Sequence, residues 1–177
     1  MASVYAPNTL VEEEGGRTIA AIVDNEPGVL ARVVGLFSAR GYNIESLTVA
    51  ETDAEKRRSR ITVVTSGTPH TLDQLKSQLQ RLVPVQKVVD VTLEPAGLER
   101  ELALIKVQGT GEKRVEALRL SDAFRANVLD TTHTSFIFEL TGAKSKIDAF
   151  IDLMKPLGLI EVSRTGLLSI QRGSESA

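Results

Sequence analysis

One order of alternating periodicities runs through this chain twice, and it restricts the fold more than any single motif. Thr18–Asp24 is a short apolar run of the kind that forms a buried strand. A turn at Asn25-Glu26-Pro27-Gly28 follows, after which Val29, Leu30, Val33, Leu36 and Phe37 fall on one broad helical face. Gly41 suits the end of that helix, because it adopts the left-handed conformation without a Cβ clash. Two strand-like segments, Ile44–Ala50 and Arg60–Thr65, flank the charged loop Glu51–Ser59. Thr68-Pro69 reads as a helix start, an N-cap followed by proline in the first turn, and Leu72, Leu75, Leu79 and Leu82 continue it at helical spacing. A valine-rich strand, Val85–Leu93, closes the unit.

Glu94-Pro95-Ala96-Gly97 reads as a linker, and the same order then returns. Leu98–Val107 is a strand, and Lys113–Arg125 a helix with Ala117, Leu120 and Phe124 on one side. Asn127–Thr131 and Ser135–Leu140 form a hairpin, Lys144–Lys155 a helix with Ile147, Phe150, Ile151 and Met154 inward, and Leu159–Ile170 a last strand with Gly166 as a bulge. The expected class is α+β: two consecutive ferredoxin-like βαββαβ domains, at residues 17–94 and 98–172. A flexible extension at 1–16 and a tail at 173–177 complete the chain. Helices on one face of each sheet leave the other face and the strand edges to be covered. Domains this small also gain little stability alone, so oligomerisation is expected.

Composition removes several function classes. A net charge of −2 argues against a nucleic-acid partner, which needs a basic face. Lys56-Arg57-Arg58 and Arg60 are balanced by Asp53 and Glu55 and read as a solvated hairpin. The aromatic share is 4%, too low for an RNA-stacking sheet. No stretch approaches the roughly 18 apolar residues of a membrane span, and the absence of cysteine excludes disulfides and thiolate metal sites. The two histidines, His70 and His133, stand far from any metal-ligand spacing and read as surface residues. Gly109-Thr110-Gly111 has Arg114 where a dinucleotide fingerprint needs glycine or alanine, and Gly142-Ala143-Lys144-Ser145 lacks the glycines of a phosphate loop. Catalysis by the chain alone has little support.

The segment with binding chemistry is Asp24–Leu30, with Gly41–Leu47 behind it. Free N–H groups at the helix start suit a carboxylate, Gly28 lets a ligand approach closely, and the Asn25 side-chain oxygen suits an ammonium group. Asn43, at the start of an edge strand, is expected near the same end of the sheet. If two edges pair, it can face the Asn25–Gly28 loop of a second copy, with Val29, Leu30 and Ile44 as apolar walls. The plain alternative is a turn leading into a helix, with Asn43 as a second turn residue.

Asn25–Val33 followed by Gly35–Val49 resembles the ACT domain of acetolactate synthase regulatory small subunits. Arg60-Ile61-Thr62, Gln78–Val85, Glu99–Val107, Phe124-Arg125-Ala126, Thr141-Gly142, Lys146–Phe150 and Arg164-Thr165-Gly166 extend the likeness over roughly Arg17 to Arg172. The Gly-Tyr-Asn-Ile-Glu-Ser-Leu-Thr-Val stretch from Gly41 is its most specific part. The resemblance implies a cytoplasmic, non-catalytic subunit of branched-chain amino-acid biosynthesis (valine, leucine and isoleucine). It would activate a large catalytic subunit and confer feedback inhibition by valine. It further implies a homodimer through the ACT domain, with valine held between paired domains. Asn25, Gly28 and Asn43 would be the polar contacts, with backbone from Val29 and Leu30 and with Ile44 nearby. No cofactor is implied in this chain; thiamine diphosphate, FAD and magnesium are expected on the catalytic partner. A free-standing ACT-domain sensor of a different metabolic enzyme would share these features. An enzyme or an RNA-binding module on the same scaffold is the more distant alternative.

Overall fold

The computed structural model describes residues 15–93 and 97–172. In the first unit β1 (Gly15–Asp24), α1 (Val29–Arg40), β2 (Ser46–Asp53), β3 (Arg58–Gly67), α2 (Pro69–Leu79) and β4 (Val85–Asp90) follow in order. The second contains β5 (Gly97–Gln108), α3 (Glu112–Phe124), β6 (Asn127–Thr131), β7 (Ser135–Gly142), α4 (Lys144–Gly158), β8 (Leu159–Arg164) and β9 (Leu168–Gln171). The sheets run β2-β3-β1-β4 and β6-β7-β5-β8, antiparallel throughout, which is the order of the ferredoxin-like βαββαβ fold.

Each helix buries a stripe on one face of its sheet. Val29, Val33 and Phe37 of α1 and Leu72, Leu75 and Leu79 of α2 pack on Ile19, Ala21, Val23, Ile61 and Val63. Ile147, Phe150 and Met154 of α4 and Ala117 of α3 meet Ala103, Ile105, Phe136 and Phe138. The helix signals act as read: Gly41 ends α1 at φ 70°, and Thr68 Oγ1 accepts from the Thr71 amide at 3.3 Å.

Several boundaries differ from the sequence reading, each for a local reason. β1 begins at Gly15, inside the expected extension; residues 1–14, the linker residues 94–96 and the tail 173–177 lie outside the described residues. β2 and β3 run into the charged segment and leave only residues 54–57 as a turn, where the Asp53 carboxylate accepts from the Lys56 amide at 3.0 Å. β4 stops at Asp90, whose Oδ1 accepts from the Thr92 and Leu93 amides and turns the chain. α4 passes Pro156 and ends at Gly158, φ 105°, where a Cβ would overlap the Gln108 carbonyl of β5. The single last strand is two: Gly166, φ 81°, breaks it, and β9 pairs with Gly97–Arg100 at the start of β5.

The face of the first sheet opposite its helices is partly covered. Ala20, Val89 and Val91 are buried there, and the 165–167 turn of the second unit rests against Ser46 and Thr48. The outward edge of β2 pairs with nothing among the described residues.

Candidate functional site

The turn between β1 and α1 is held from three sides. The Asp24 amide donates to the Pro84 carbonyl at 2.8 Å, and the Asn25 amide to the Arg57 carbonyl at 2.6 Å. The Arg32 guanidinium pairs with Glu26 at 3.1 Å. Gly28 is the N-cap at φ 87°, a left-handed conformation that favours glycine, and a Cβ there would meet no atom within 4 Å. The Leu30 and Ala31 amides donate to no acceptor among the described residues. Open space in front of unpaired donors, at the positive end of a helix dipole, suits an anion.

The side chains divide the work differently from the sequence reading. Val29 is 7% exposed and packs in the core, so only its backbone can face a ligand. Leu30 is 39% exposed, whereas Ile44 is half-buried and packs against the same core. Asn25 Nδ2 donates to Glu51 Oε1 at 3.3 Å, a partner the sequence reading missed because it lies on another strand. This orients the amide and leaves Oδ1 without a partner among the described residues. At the nearby hairpin the Lys56 amide, with the Lys56 and Arg58 charges, holds the Asp53 carboxyl below its ordinary range, against desolvation.

Asn43 is exposed, and its backbone carbonyl accepts from Thr65 Oγ1 at 2.6 Å. Its position corrects the expectation that it shares an end of the sheet with Asn25. Ser46 pairs with Val64 and Val64 with Thr18, whereas Asp53 pairs with Arg58 and Arg58 with Asp24. β2 therefore runs parallel to β1, and its start lies at the opposite end. Thr18 and Asp24 stand six residue steps apart along β1, about 20 Å at the usual rise. One small amino acid cannot touch Asn43 and the Asn25–Gly28 turn of the same chain.

Outside this region, a cavity of about 420 Å³ opens between the two units, with Glu45, Ser46, Leu47, Lys144, Arg164 and Gly166 in its wall. Arg164 Nε and Nη2 donate to Glu101 at 2.7 and 2.6 Å, and Nη1 donates to Asp148 at 2.6 Å. Hydrogen bonds to Glu101 and then Asp148 raise the Arg164 pKa, outweighing burial. Among the described residues no group of three His, Asp or Glu side chains gathers where it could hold a metal ion. No helix of the described residues is long and apolar enough to cross a membrane.

The family profile described as the small subunit of acetolactate synthase matches residues 100–173, and that described as the AHAS small subunit-like ACT domain matches residues 19–87. The "Probable acetolactate synthase small subunit" of Archaeoglobus fulgidus is 46% identical over 158 residues, 89% of this chain and 98% of that protein. The acetolactate synthase small subunit of Haemophilus influenzae is 44% identical over 161 residues, 90% of this chain and 98% of that one. The crystal structure of the acetolactate synthase small subunit from Thermotoga maritima superposes with a TM-score of 0.82 at 36% identity, covering 91% of this chain and 99% of that one.

Proposed function

The chain belongs to the acetolactate synthase small-subunit family, and on that premise we propose that it activates a catalytic subunit and, by binding valine between two copies of its first unit, makes that subunit subject to feedback inhibition. The observation that carries the reading is the separation of about 20 Å between Asn43 and the Asn25–Gly28 turn, together with the unpaired edge of β2.

Antiparallel pairing of Ser46–Asp53 with its own copy across a twofold axis brings the two halves together. In full overlap Asn43 falls opposite the partner subunit's Lys56, one residue from the carbonyl that holds Asn25. The ligand carboxylate then faces the Leu30 and Ala31 amides of one chain, and the ammonium group faces Asn25 Oδ1. Asn43 of the other chain closes the site, and Leu30 and Ile44 take the isopropyl group. A site completed by an interface discriminates between open and closed dimers, and a ligand shifts an equilibrium only through such a difference.

In this reading the chain lacks catalytic groups of its own, and thiamine diphosphate, FAD and magnesium belong to the catalytic subunit. The assembly is placed in the cytoplasm with the rest of branched-chain amino-acid synthesis. A purified full-length chain is expected to form no acetolactate from pyruvate alone, to raise the rate of the catalytic subunit when added to it, and to make that rate sensitive to valine. Turnover by the chain alone, or a catalytic rate indifferent to its addition, contradicts the reading.

A further inference from the structure

The strand that begins just after Asn43 is also the strand on which the second unit rests. Ser46 and Thr48 alternate with the core-facing Leu47 and so point to the sheet face away from the helices. There the Leu167 amide donates to Ser46 Oγ at 3.2 Å, and Thr48 Oγ1 lies 3.4 Å from the carbonyl oxygens of both Thr165 and Leu167. Gly166 approaches so closely that a Cβ would overlap Ser46 Oγ and stand 3.1 Å from Thr48 Oγ1. Glu45 adds an ion pair at 3.8 Å to Lys144, the first residue of α4, and also accepts from the Ser66 hydroxyl.

The turn itself is tied to the body of the second unit. The Thr165 amide donates to the Leu102 carbonyl at 3.0 Å, and Arg164 grips Glu101 on β5 and Asp148 on α4. A displacement of β2 therefore meets a rigid receiver. Beside these contacts, between the two units, lies the cavity of about 420 Å³.

We propose that this seam couples the effector site to the second unit: valine engaging Asn43 moves residues 45–48 of β2 against the 165–167 turn, and the turn moves β5 and α4. The inference rests on the valine site proposed above. It assigns Ser46, Thr48 and Gly166 a positioning role, with no contact to the effector.

The test separates binding from response. Ser46→Ala/Thr48→Val removes the seam hydrogen bonds without adding bulk, and Gly166→Ala forces the surfaces apart. In the isolated full chain, calorimetry should find valine affinity within about threefold of the unsubstituted protein for both variants. In the holoenzyme, activation without valine should persist, while the valine concentration for half-inhibition should rise about tenfold, a typical size for a coupling between sites. Thermal melting identifies a variant that fails to fold, and the double substitution keeps the test open if Gly166→Ala does. Unchanged half-inhibition in a folded variant that binds valine normally overturns the seam alone. An unsubstituted chain that binds no valine overturns the site and the seam together.

Discussion

Replacing Gly28 by aspartate should remove valine inhibition at concentrations that fully inhibit the unsubstituted holoenzyme, while activation of the catalytic subunit survives. A Cβ at Gly28 meets no atom within 4 Å, so the substitution itself costs only the strain of a side chain at φ 87°. Aspartate also tolerates the left-handed backbone at φ 87° better than most residues. Its carboxylate lies where the ligand carboxylate must come and is within reach of the same Leu30 and Ala31 amides. Like-charge repulsion and lost donors together should cost about 3 kcal/mol, roughly a hundredfold in affinity. Asn43→Ala removes a hydrogen bond to a charged ligand group, for roughly 1.5–3 kcal/mol. Valine titration by calorimetry checks both, and normal affinity in the folded variants would move the site elsewhere.

The largest effect on stability is expected at Arg164. Glu101 has a side chain only 6% exposed, and its two oxygens are both taken by this guanidinium. The guanidinium stays charged at any pH the fold survives, since hydrogen bonds to Glu101 and Asp148 raise its pKa further. Arg164→Met therefore leaves a buried carboxylate uncompensated, which typically costs 3–5 kcal/mol. Because Arg164 is itself 30% exposed, water can partly replace it, and the expected loss is about 3 kcal/mol, at the low end of that range. Adding Glu101→Gln should restore part of the loss, because the stranded charge is gone. A urea unfolding midpoint for Arg164→Met equal to that of the unsubstituted protein would mean that the pair contributes nothing net.

Helices and strand order were legible because their signals are local. Val29, Val33 and Phe37 announce one buried stripe, Gly41 its end and Thr68 the next beginning, and each acts in the structure as its chemistry implies. What escaped was decided by distant partners. β9 exists because the start of β5 pairs with it, and nothing near Leu168 encodes that pairing. Gly166 read as a bulge, although its lack of a side chain answers to Ser46 and Thr48, far away in sequence.

The candidate site divides in the same way. The residue types that suit an amino-acid ligand are visible in Asn25, Gly28 and Asn43, but their separation is not. It follows from β2 running parallel to β1, a consequence of both strands pairing with β3. Val29 was named beside Leu30, yet helical geometry turns one inward and the other out.

The separation of Asn43 from the Asn25–Gly28 turn makes sharing between two chains the central claim, and mixing tests it most directly. Gly28→Asp and Asn43→Ala chains should each bind valine weakly alone, through different halves of the site. In a mixed dimer one site carries both defects and the other carries neither. Unfolding the two variants together and refolding them as a mixture should therefore restore binding at the affinity of the unsubstituted protein in about a quarter of all sites, the share expected for random pairing of two chains in a symmetric dimer. A mixture that binds no more valine than the average of its two components would contradict a site built from two chains.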